Sequence, residues 1–191
     1  MSTTAVIVEH LISGLQAAVW LALLLLASLG YDWIKFDQLK DITAQLTFLM
    51  LTVVYPLGIF IDDVADFLFE YWSKRIRSKR FELEGIHLNE RDVTAFQVLQ
   101  DTKDDFLRSY FSYIRMRIRI SRSASLNFGV CTLATIVFTV VRIPYTLKVL
   151  LVEFIVGAAF TSLAVWAWYR VSDIFAKQIS RAFKAQNEHQ E

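Results

Sequence analysis

The chain has one cysteine, Cys131, so it has no internal disulfide and no cysteine–histidine spacing for a metal. Cys131 sits in an apolar run between Val130 and Thr132 and reads as a small packing residue. Histidine is also scarce, and His10, His87 and His189 lie far apart without a partner histidine nearby. No glycine-rich phosphate loop and no nucleophile elbow is present. With a formal net charge of only +1, the chain also lacks the excess of one sign that marks a nucleic-acid binder. Neither catalysis nor a cofactor or metal is expected.

What the chain has in quantity is apolar sequence. Hydrophobic residues make up 55 % of it and the mean hydropathy is +0.41, which moves it from the soluble class to the membrane class. At 191 residues it is long enough for a single domain. Four stretches approach the roughly 20 apolar residues that a crossing needs, over about 11–30, 43–61, 126–142 and 147–169. The first, preceded by Glu9 and His10 and no basic residue, does not read as a cleaved signal peptide. Pro56, with Gly58 close behind, predicts a kink or hinge in the second, because proline removes a backbone donor. Pro144 makes a tight turn between the third and fourth. Tyr31 and Trp33, and Trp166, Trp168 and Tyr169, read as interfacial aromatic belts.

Orientation follows from the basic residues. Sixteen of the twenty Lys and Arg lie between the second and third stretches or after the fourth. Only Lys35, Lys40, Arg142 and Lys148 fall in the other two connections. By the positive-inside rule, residues 62–125 and the C-terminus are cytoplasmic, and four crossings bring the N-terminus to the same side. The expected location is a bacterial inner membrane.

Residues 115–122 read RMRIRISR. Their alternation suggests a basic strand, but a longer window is helical: at 100° per residue, Arg108, Arg115, Arg119 and Arg122 fall within about 40° of one another. Asp62, Asp66 and Glu70 form an acidic stripe at i, i+4 and i+8 on the helix leaving the second span. In an antiparallel hairpin with a turn near Gly85 to Asn89, Asp62 faces Arg122, Asp66 faces Arg119, Glu70 faces Arg115 and Arg80 faces Asp105. The expectation is therefore an all-α membrane protein, a single domain with four transmembrane helices. A long cytoplasmic helical hairpin over 62–125 projects about 30 Å, and an amphipathic tail over 170–191 packs on it or lies on the inner leaflet. Arg117, off the paired stripe, is the candidate lipid or partner contact. Eleven acidic residues against twelve basic ones in 62–125 argue against nucleic acid.

Inside the apolar stretches the exception is Glu153. It pairs with Arg142 across the Pro144 turn, reaches the outer interface, or faces a pore in an oligomer. Gly157, Ala158 and Ala159, with Ser162 and Ala164, form a small-residue surface suited to self-association.

The spacing of Arg80 and His87 in RFELEGIH resembles the Arg-to-His motif of HEPN ribonucleases. Phe81 stands where that motif carries a polar residue, so ribonuclease activity is not expected. The layout of spans, though no sequence motif, is similar to that of small multi-span effectors in bacterial antiphage systems such as retrons and cyclic-nucleotide signalling operons. By that analogy the chain is a homo-oligomeric effector that perturbs or permeabilises the membrane in abortive infection, controlled by a partner at its hairpin. The alternative is a non-catalytic scaffold or immunity protein that recruits a cytoplasmic partner.

Overall fold

The computed structural model describes residues 3–30, 43–85, 105–144 and 146–188. Among them all regular structure is helical, in four elements: α1 (Thr3–Leu29), α2 (Thr43–Leu83), α3 (Asp105–Arg142) and α4 (Leu147–Glu188). RMRIRISR lies wholly within α3. The expected turn beyond Gly85, the helix start near Asn89, His87, the Tyr31 and Trp33 belt and the side chain of Asp105 lie outside the described residues.

The helix ends have local causes. Gly30 closes α1 at φ +80, where its N–H reaches Leu26 O at 2.9 Å, the left-handed turn that glycine adopts without strain. Gly85 does the same after α2, at φ +73. α3 stops at Pro144, which has no N–H to continue it. The carbonyl of Thr146 then takes the N–H of Val149 at 3.0 Å and starts α4.

The helices pack along their lengths. α1 lies antiparallel to α2 and parallel to α3, and α4 runs back along α3. Gly14 and Gly58 let α1 and α2 touch through their backbones. A Cβ at Gly14 would lie 1.8 Å from Val54 O, and one at Gly58 would lie 1.9 Å from His10 O. Hydroxyls within the apolar part of α3 bond back to their own helix, as Thr132 does to Phe128 O at 2.7 Å and Thr135 to Cys131 O at 2.9 Å. Those two hydroxyls are thereby not left bare toward an apolar surrounding.

Among the described residues three helices are long and apolar enough to cross a membrane, over Val6–Leu29, Leu107–Arg142 and Leu147–Lys184. Along the first half of α4 large apolar side chains face outward, among them Leu147, Val152, Ile155 and Leu163. Exposure on that scale does not suit a water-soluble monomer.

At the charged end of the bundle α2, α3 and α4 share a core. Phe81, Phe111 and Ile179 are almost fully buried against one another, with Tyr110, Phe175 and Phe183 around them. A second cluster joins Phe69 and Ile76 of α2 to Trp168 of α4, with Ile118 of α3 packed on it. The tail after residue 170 thus packs as the third member of this core. Phe81, in the position that breaks the ribonuclease pattern, is a core residue only 1 % exposed.

Candidate functional site

Between the apolar and charged halves lies a cluster built by three helices. α1 supplies Glu9, α2 supplies Asp62 and Asp66, and α3 supplies Arg119, Arg122 and Ser123. Asp62 is at its centre. It accepts from Arg119 Nε at 3.0 Å, from Arg122 Nη2 at 3.0 Å and from the Ser123 hydroxyl at 3.2 Å. Arg122 also donates to Asp66. Arg119 Nε stands 3.3 Å from Glu9 Oε1. Glu9, Asp62, Arg122 and Ser123 are all buried.

Two guanidinium groups here face three carboxylates. Burial makes such charges costly unless each is paired and hydrogen-bonded. The pairing is incomplete: neither carboxylate oxygen of Glu9, nor Arg122 Nε, has a hydrogen-bond partner among the described residues. His10 beside Glu9 is satisfied locally, Nδ1 donating to Val6 O at 2.8 Å while the ring packs edge-on against Tyr55.

This geometry revises the expected register. Asp62 meets Arg122, but Asp66 also takes Arg122 in place of Arg119, and Arg119 turns to Asp62 and Glu9. Glu70 pairs with Lys74, one turn along its own helix, at 2.6 Å, and Arg115 is exposed without an ion pair among the described residues. The physical reason is α4. Its Trp168 packs with Phe69 and Ile76 of α2, and Ile118 of α3 packs on that cluster, so beyond Asp66 α4 joins α2 and α3 and offers them other partners. Arg80 accordingly forks onto Asp173 of α4 through Nε and Nη2. Farther along, Lys184 Nζ reaches Glu84 Oε2 at 2.8 Å. That hydrogen bond and charge hold the Glu84 carboxyl below its usual range, as Lys74 does for Glu70.

The other singled-out residues are placed as follows. Arg142 does not pair with Glu153. It donates through Nε to Ala27 O and through Nη2 to Ser28 O, both at 2.7 Å, capping the carbonyl end of α1 where a cation is favoured. Glu153 accepts from the Thr139 hydroxyl at 2.7 Å, and its other oxygen is buried without a partner among the described residues. α2 runs through Pro56 without interruption, and Gly58 packs against the His10 backbone. Gly157 is consumed within the chain, since a Cβ there would lie 2.1 Å from Thr132 Oγ1. Arg117 is exposed, its guanidinium 5.8 Å from the ring centre of Tyr113.

Glu9 and Asn127 are the residues the sequence reading missed. Asn127, buried in the apolar half, accepts from Trp20 Nε1 at 3.0 Å. Its amide donates to Ser13 O at 3.1 Å and Gln16 Oε1 at 3.3 Å. A lone amide in the apolar run LNFGV was the available signal.

Comparison with protein-family models, curated proteins and solved structures finds no match.

Proposed function

We propose that the chain is a small polytopic protein of a bacterial inner membrane, with four spans and both termini in the cytoplasm. It acts there as a homo-oligomeric effector that permeabilises the membrane in an antiviral, abortive-infection response. Lengths support the four-span placement. From Arg122 to Arg142, α3 rises about 30 Å, the thickness of a hydrocarbon core. Glu9 to Gly30 in α1, Asp62 back to Thr43 in α2, and Leu147 to Trp166 in α4 are each close to the same length, at about 28–32 Å. Ionic groups therefore bracket one apolar slab, with the Glu9 cluster at its inner face and Arg142 at its outer face.

The observation that carries the functional reading is the incompletely satisfied charge cluster at that inner face. It joins the membrane half to the α2–α3–α4 core, so a signal that shifts the core moves Arg119 and Arg122 relative to Asp62. A buried network with unfilled hydrogen bonds is poised between arrangements, which is what a two-state element requires. Ser123, Asn127 and Thr139 of α3, with Glu153, supply polar groups for a path between subunits once the helices move. Self-association is supported by α2, where Phe67 and Tyr71, 78 % and 68 % exposed, stand outward beyond the apolar half.

Induced expression in cells loaded with a membrane-potential dye tests the reading. Depolarisation that is altered by Asp62→Asn and lost in Glu153→Ala supports it. A wild-type chain that never depolarises the cell under any trigger favours the scaffold alternative, in which the exposed α2 aromatics dock a cytoplasmic partner.

A further inference from the structure

The groove between α2 and α4 forms a half-open cavity of about 820 Å³ at the charged end of the proposed slab. Its α4 wall runs from Thr161 and Val165, inside the slab, through Trp166 to Asp173 beyond it. Its α2 wall carries Trp72, Arg75 and Lys79, so the cavity is apolar at one end and cationic at the other.

Three cations line the upper end, Arg75, Lys79 and Arg80, against the single carboxylate of Asp173. Arg80 already engages both oxygens of that carboxylate. Arg75 and Lys79 are exposed and form no ion pair among the described residues. Arg170 lies over the Trp166 ring at 5.3 Å and adds positive charge at the rim. A second observation is independent of charge. Trp168 lines the cavity, is 2 % exposed, and its indole N–H is a buried donor without an acceptor among the described residues. Such a donor carries a penalty that an entering acceptor removes.

We infer that this cavity binds an anionic phospholipid of the inner leaflet. Arg75 and Lys79 hold the phosphate, an ester carbonyl accepts from Trp168, and an acyl chain lies along Val165 and Thr161. An unattached anion matches the cationic end but leaves the apolar end empty, and a zwitterionic lipid forfeits the net positive charge. The inference rests on the membrane placement proposed above and is independent of permeabilisation.

Native mass spectrometry of the full-length protein, released from micelles doped with phosphatidylglycerol or phosphatidylcholine, provides the test. Phosphatidylglycerol is expected to be retained about tenfold better than phosphatidylcholine. The double variant Arg75→Glu with Lys79→Glu, at two exposed positions, abolishes that preference. Trp168→Phe keeps an aromatic ring but loses the donor, and weakens retention about fivefold. The double variant Arg115→Glu with Arg181→Glu, an equal charge change at two exposed positions outside the cavity lining, leaves it unaltered. Equal retention of both lipids, or an equal loss in that second double variant, overturns the inference. So does displacement of phosphatidylglycerol by an equal concentration of chainless glycerol phosphate. A carbonate wash separates the two levels of failure. A protein stripped from the membrane sinks the placement and the lipid site together, whereas an integral protein without the preference sinks the lipid site alone.

Discussion

Arg122 and Asp62, both buried, meet at 3.0 Å where the apolar half of the bundle ends, and Asp62 serves Arg119 at the same time. Asp62→Asn therefore strips the compensating charge from a buried guanidinium, at an expected cost of about 3–5 kcal/mol. The Asp66 side chain is 68 % exposed, and Asp66→Asn should stay within about 1 kcal/mol although it contacts the same arginine. Unfolding of the two variants in mixed micelles decides the point, and similar losses would show that burial is not what makes Asp62 important.

Much of the architecture is legible in the sequence because it follows from local periodicity. Apolar runs and a 100° spacing of arginines identify helices, and the strand-like look of RMRIRISR dissolves once the window extends to Arg108. The facing of Asp62 and Arg122 follows from counting back through an antiparallel turn. The rest depends on elements that are not sequence neighbours. Glu9 joins Arg119 because α1 lies parallel to α3, a relation that no turn length dictates. Glu70 goes to Lys74 because an i, i+4 pair forms without bringing two helices together. Arg142 finds the end of α1 because the Ala27 and Ser28 carbonyls and Gly30 stand opposite it.

The two glycines at the α1–α2 crossing should be intolerant of any side chain. At Gly14 and Gly58 a Cβ meets backbone oxygen, which cannot rotate away, so Gly14→Ala and Gly58→Ala should each destabilise by about 2 kcal/mol or more. At Gly129 the nearest neighbour is the Thr161 methyl at 3.8 Å, an ordinary contact. Gly129→Ala should be neutral or stabilising by up to about 1 kcal/mol, from helix propensity alone. Thermal unfolding of the three variants side by side is the check, and a tolerated Gly58→Ala would contradict the close crossing.

The tie between Glu84 and Lys184 gives the end of α4 an acid sensitivity of defined sign. Because Lys184 lowers the Glu84 pKa in the folded chain, the tie stabilises the fold above the ordinary glutamate value of about 4.3. It is lost as the pH falls through the depressed value, when the carboxyl takes up its proton. The carboxyl-carbon shift of Glu84, followed by NMR, should titrate with a midpoint below about 4.3. Lys184→Ala should bring the midpoint back toward that value, and an unchanged midpoint would mean that the pair does not form in solution.

Asn127 and Trp20 hold α1 to α3 inside the apolar half, about a turn and a half beyond Arg122 on α3. Water is scarce at that depth, so a buried amide must find its partners within the protein. Asn127→Ala abandons the Trp20 donor, the Ser13 carbonyl and the Gln16 oxygen together, and should cost about 1–3 kcal/mol. Trp20→Phe removes only one bond and should cost less, the phenyl ring keeping most of the packing. If the indole-to-amide bond is energetically real, the two losses are not additive, and a double-mutant cycle should return a coupling of about 0.6–1.7 kcal/mol. Measured by reversible unfolding in mixed micelles, a coupling near zero would instead mean that the amide serves Ser13 and Gln16. Trp20 would then contribute through its ring alone.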